Sequence, residues 1–268
     1  MSVKEHFYEM RSRILRVSFS IIIVIIFCVT FGIQYYSVNL NNSQNGFDNI
    51  IKFPFIYPDP FNNLAIQITT FMKDMLLPAE VDLIQTAPGQ AFVAQIYVAA
   101  LIGIIFSVPL IIKEAYEFLS PAIEEKKKKK IKLLKILIPT IGLFISGIAF
   151  SFLVVIPFTL DFLYKYGESI GVETFLNIND FISFVLQFLL GFGVTFELPI
   201  VMYIISLTGI IEYDFWKRNF RYSVIILVIF GAIITPDGSG VTMWFISGPM
   251  ILLYISGVFI IRITSRKK

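Results

Sequence analysis

The 268-residue chain is 56% hydrophobic and only 15% charged, far more apolar than a soluble domain needs to fill one core. One cysteine, Cys28, and one histidine, His6, exclude a disulfide framework and a zinc cluster. The net charge of +3 lies in short basic blocks beside apolar runs, a pattern that membrane topology explains better than nucleic-acid binding.

Val3, Phe7, Met10 and Ile14 recur at helical spacing, which predicts an amphipathic helix over residues 2–16 that runs into a first apolar run, 17–35. Glu5 and Glu9 fall on its wet face, and Glu9 stands four residues before Arg13, the spacing of an intrahelical ion pair. The run is too long for the core of a signal peptide, and no small-residue cleavage site follows it. Residues 37–91 form a long connection. In it Pro58-Asp59-Pro60 breaks the chain, and Leu64, Ile68, Phe71, Met72 and Met75 predict an amphipathic helix that Pro78 ends. That helix either packs on the spans or offers a surface to a partner.

Further apolar runs cover 92–112, 136–156, 181–207 and 241–261, each long enough for a span. The stretch 222–234 is apolar but short, about 20 Å at a helical rise, so the membrane must thin there or partners must cover it. If it crosses, the segments 1–16, 113–135, 212–221 and 262–268 share one side and hold 19 of the 22 Lys and Arg residues. Lys52, Lys73 and Lys165 remain opposite, and the bias places the basic side in the cytoplasm. The expected fold is therefore an all-α membrane protein of six transmembrane helices, both termini cytoplasmic, in a single integral domain over 1–268. Pro109, Pro139, Pro157, Pro199 and Pro249 lie in or at the ends of spans, which predicts bent helices forming a concave scaffold.

Glu197 lies deep in the fourth span, where a carboxylate costs about 2.5–3.5 kcal/mol, so it should face protein or trapped water. Pro199 withholds an amide from the Thr195 carbonyl, and Glu197 with Thr195 makes one polar spot. It reads as an inert buried acid, as a proton or ion relay, or as a dock for polar groups of another transmembrane segment. On the basic side Glu124 and Glu125 follow Ser120-Pro121 beside the lysines of 126–130. They either balance charge or hold guanidinium forks bidentately. Thr235-Pro236-Asp237-Gly238-Ser239-Gly240 is a tight-turn sequence. With no Walker lysine, no Ser-His-Asp set and no zinc helix, neither an enzyme nor a cofactor or metal site is expected.

Four of these stretches, in order along nearly the whole chain, resemble the TatC family, the multispanning receptor subunits of the twin-arginine protein-export pathway. His6-Phe-Tyr-Glu9-Met-Arg11-Ser-Arg13 is similar to its amino-terminal His-Leu-x-Glu-Leu-Arg signature. Phe118-Leu-Ser-Pro121-Ala-Ile is similar to its Phe-x-x-Pro element after span two. Phe192-Gly-Val-Thr-Phe196-Glu197-Leu-Pro199 resembles its span-four signature, and Arg221-Tyr222 through Thr235-Pro236-Asp237 its span-five region. Two positions depart from the pattern: Lys127 stands where the family commonly has an acid, and Thr235 where many members have a second proline.

The resemblance implies that Glu9 and one of Glu124 or Glu125 bind the paired arginines of a signal peptide, with Arg11 also in the signal-peptide site. It also implies that Glu197 and Thr195 make an intramembrane polar contact, and that Thr235, Pro236 and Asp237 lie where partners pack. The implied partners are twin-arginine signal peptides of folded cargo and TatA/TatB-type single-span subunits, within a homo-oligomer of a larger complex. The implied setting is the cell (cytoplasmic) membrane, with the proton-motive force driving transport and no nucleic acid or cofactor involved. The alternative is a proton-coupled secondary transporter of a small solute, with Glu197 as the coupling group.

Overall fold

The first apolar run does not stay helical to Tyr35. Helix α1, Val3–Thr30, ends there, and the aromatic and β-branched run that follows becomes strand β1, Phe31–Asn39. It pairs antiparallel with β2, Ile50–Pro58, from Phe31 opposite Pro58 to Asn39 opposite Ile50. Gly32, within β1, lets the Asn62 backbone approach closely, because a side chain there would collide with the Asn62 carbonyl. The computed structural model describes residues 3–39, 50–78, 81–119, 133–172, 174–209, 211–235 and 240–265.

The amphipathic helix expected after Pro60 is α2, Leu64–Leu76. The buried Asn63 caps it, accepting from the Ile66 amide at 2.9 Å, and Ala65, Met72 and Leu76 bury its apolar face. Strand β3, Asp82–Ile84, leads to α3, Gln90–Leu119. Helix α4, Leu133–Phe150, passes through a π turn, Ser151–Val155, into α5, Ile156–Ser169. In that turn the Ile156 amide reaches back five residues to the Ser151 carbonyl, immediately before Pro157, where a normal ladder would break. Strand β4, Phe175–Asn177, pairs in parallel with β3, so the fold is helical with two small sheets rather than purely helical.

Helix α6, Ile178–Thr195, is the centre of the core. Ile182, Val185, Phe188, Leu189 and Phe192 form one buried stripe along it, packed against α3 and α4. Asn177 caps it, accepting from the Asn179 amide at 2.9 Å, while its amide nitrogen donates to Thr86 and Gln90 at 2.7 and 3.1 Å. The crossing with α4 is tight. A Cβ at Gly147 would lie 2.7 Å from the Phe192 carbonyl, and one at Gly193 would lie 2.8 Å from the Phe144 ring. After Phe196-Glu197 the chain re-enters a helix, α7, Leu198–Thr208, which Gly209 ends in the left-handed region at φ 80°. The short α8, Tyr213–Arg218, precedes α9, Phe220–Ile234, and α10, Gly240–Ser265, completes the bundle against α7 and α9.

Among the described residues five stretches are long and apolar enough to cross a membrane: Phe7–Thr30, Gln90–Ala115, Leu137–Ser169, Ile178–Ser206 and Gly240–Ile263. Helix α9, with 15 residues, reaches only about 22 Å. Phe19, Phe106, Leu153, Ile233 and Leu252 are all more than half exposed, the outward apolar surface that lipid would cover.

Candidate functional site

At the amino-terminal end of the bundle, α1 and α3 lie side by side, joined within the apolar layer by a 3.0 Å hydrogen bond between the Ser20 and Ser107 hydroxyls. Two turns further out their charged residues meet. Arg13 donates through Nη2 and Nε to Glu9 Oε1 at 2.6 and 3.1 Å, so the intrahelical pair expected from the sequence forms. Its Nη1 crosses to α3, to Glu114 Oε2 at 2.7 Å and Glu117 Oε2 at 3.0 Å. Arg16 takes the other Glu114 oxygen at 2.8 Å. Among the described residues the result is three carboxylates around two guanidiniums, one negative charge more than these arginines balance.

Glu114 is the residue the sequence reading missed. Its side chain is 5% exposed, so Glu197 is not the only carboxylate drawn out of water at a span. The signal was present as paired spacing: Arg13 and Arg16 are three apart on one helix, and Glu114 and Glu117 are three apart on its neighbour. Beside this cluster a cleft of about 280 Å³ opens between the helices. Met10, Ile14, Val17, Ile111 and Phe118 make its walls, and Arg13 and Glu114 its polar edge. Arg11, on the same helix, points outward and is exposed.

The second polar spot is where the fourth span breaks. Phe196 and Glu197 form a turn between α6 and α7, and Pro199 has no amide to give the Thr195 carbonyl. The Thr195 hydroxyl turns back to donate to the Gly191 carbonyl at 2.6 Å. Both carboxylate oxygens of Glu197 are shielded by protein and neither has a hydrogen-bond partner among the described residues. A buried carboxyl in this state favours any group that can donate to it. The Thr235 hydroxyl, at the end of α9, similarly donates to its own helix, to the Gly231 carbonyl at 2.6 Å. Glu124, Glu125, Pro236 and Asp237 lie outside the described residues.

Residues 5–249 match the family model of the Sec-independent protein translocase protein, TatC. The chain is 54% identical over 211 residues to the TatC protein of Cenarchaeum symbiosum, covering 79% of each sequence. It is 29% identical over 271 residues to that of Aquifex aeolicus, covering all of this chain and 98% of the relative. In fold it is similar to a crystal structure of the twin-arginine translocase receptor TatC. That comparison has a TM-score of 0.75 and 23% identity, and covers 97% of this chain and 99% of the other. These matches do not favour the small-solute transporter reading. The chain belongs to the TatC family, and it is a membrane subunit of a twin-arginine protein translocase rather than an enzyme.

Proposed function

We propose that the chain reads the paired arginines of signal peptides at the end of the bundle that carries Arg13. The observation that carries this reading is the state of Glu9. It already holds a guanidinium through bonds of 2.6 and 3.1 Å, in a cluster where, among the described residues, three carboxylates meet two arginines beside an apolar cleft. Carboxylates so placed select a planar fork over a compact ammonium. An incoming arginine exchanges with Arg13 for Glu9, while Glu124 or Glu125 takes the second arginine and Arg11 stands at the rim. The apolar residues that follow the arginines in the peptide enter the cleft.

In this reading both termini and the basic segments are cytoplasmic, following the Lys and Arg bias, and the chain crosses the cell membrane six times as one domain. The bent helices form a concave face. Glu197, with Thr195 beside it, accepts a hydrogen bond from a polar group of an inserted signal peptide or a TatA/TatB-type single-span subunit. Those subunits pack near the short α9 and the Thr235-Pro236-Asp237 turn. Several copies assemble in a larger complex, and the proton-motive force drives folded cargo across. The test is crosslinking of a twin-arginine signal peptide to the full chain in membranes. Glu9→Ala combined with Glu124→Ala and Glu125→Ala abolishes it; undiminished crosslinking refutes the assignment.

A further inference from the structure

Ile255, Val258, Phe259 and Arg262 occupy one face of α10 at the i, i+3, i+4, i+7 spacing. Opposite them, Tyr213 and Lys217 stand one turn apart on α8, and the two helices enclose a cleft of about 360 Å³ where α10 ends. The cleft is held open by its supports. The Tyr254 hydroxyl donates to the Trp216 carbonyl at 2.9 Å, and Trp216 Nε1 donates to the Ser206 hydroxyl at 2.9 Å. The Trp216 and Phe220 rings pack on Tyr254 with centroids 6.3 and 5.8 Å away.

The charges in this cleft are unlike those around Arg13. Glu212 and Asp214 are close in sequence, yet among the described residues no carboxylate forms an ion pair with Lys217 or Arg262. Below the two cations the wall is apolar and outward-facing: Ile255 is 46% exposed and Phe259 60%. These residues belong to the stretch Gly240–Ile263, which is long enough to cross the membrane. Two cations without an ion-pair partner among the described residues, with a hydroxyl, stand at the end of an apolar strip on a helix long enough to cross a membrane, and together match one chemical object.

We propose that this cleft binds an anionic phospholipid. Its phosphate sits between Lys217 and Arg262 and accepts from the Tyr213 hydroxyl, and an acyl chain runs down Ile255, Val258 and Phe259. A free phosphate would use the cations but leave the apolar wall without a role, which is why the occupant is a lipid. The inference rests on the chain spanning a membrane and is independent of how signal peptides are read.

Trp216 lies beside the cleft and Trp244 is the chain's other tryptophan, so Trp244→Phe leaves a single reporter. The full chain carrying that change is placed in phosphatidylcholine vesicles containing brominated phosphatidylglycerol or, in parallel, the same amount of brominated phosphatidylcholine. Excess quenching of Trp216 by the anionic lipid is expected. Each cation near the surface is worth about a five-fold preference, so Lys217→Gln with Arg262→Gln lowers it about 30-fold. Lys217→Arg with Arg262→Lys, which keeps the charges, retains the preference and separates lost binding from lost folding. Equal quenching by the two lipids overturns the proposal, as does a preference that survives the glutamine variant. Displacement of the brominated anionic lipid by millimolar inorganic phosphate makes free phosphate the occupant and overturns the lipid assignment.

Discussion

Replacing Arg13 with Met removes one of the groups that join α1 to α3, and the cost follows from what it leaves behind. Glu114, at 5% exposure, loses its 2.7 Å partner and keeps only Arg16, whose side chain is 53% exposed. Breaking a buried ion pair costs about 3–5 kcal/mol, and because Arg16 remains, the lower end applies, about 3 kcal/mol. For a chain of this size that corresponds to about 6–12 °C in melting temperature. Glu114→Gln is milder, about 1–1.5 kcal/mol, since the amide still accepts from Arg13, which also keeps Glu9 and Glu117. Because the two substitutions disrupt one cluster, the double variant loses about 1–2 kcal/mol less than the sum. The assay is SDS-induced unfolding in mixed micelles, with the four members of the cycle measured together. Single effects that add to within about 0.5 kcal/mol would show that Arg13 and Glu114 are not energetically joined, and would refute the reasoning.

Gly147→Leu forces a side chain into the Phe192 carbonyl and lowers thermal stability in detergent by about 1–3 kcal/mol or more. Gly142→Leu, five residues earlier on α4 with nothing within 4 Å of its Cβ, loses far less; equal losses would deny the tight crossing. Asn177→Ala removes the cap of α6 and two bonds to Thr86 and Gln90, so amide exchange at the start of α6 rises about 10-fold, whereas an unchanged rate would show that the cap is dispensable. If Glu197 serves as a hydrogen-bonding dock, Glu197→Gln retains much of the crosslinking to a single-span partner and Glu197→Ala loses more. A glutamine variant as inactive as alanine favours proton release instead.

The helical layout was readable because apolar run length and the positions of proline act locally. The bend expected at Pro199 takes the form of a break at Glu197, whereas Pro109, Pro139 and Pro249 lie inside continuous helices, and the helix after Pro60 followed from its period. The strand from Phe31 to Asn39 was not readable, because its composition continues the apolar run before it. Its identity depends on a partner strand, Ile50–Pro58, with which it pairs residue for residue. The parallel pairing of Asp82–Ile84 with Phe175–Asn177 joins segments some ninety residues apart, a contact no local pattern reports. At the site, Glu9 was legible from its spacing to Arg13, whereas Glu114 was assigned to a wet segment because it follows the apolar run. Only the apposition of α1 and α3 makes it buried and paired.

The central claim, that carboxylates at this end of the bundle recognise paired guanidiniums, is tested most directly by titrating the purified full chain with a fluorescent signal peptide carrying either Arg-Arg or Lys-Lys. The account predicts tighter binding of the arginine form, a gap that closes in the variant combining Glu9→Ala, Glu124→Ala and Glu125→Ala. Equal affinity for the two peptides, or an arginine preference that survives the loss of those carboxylates, would contradict it.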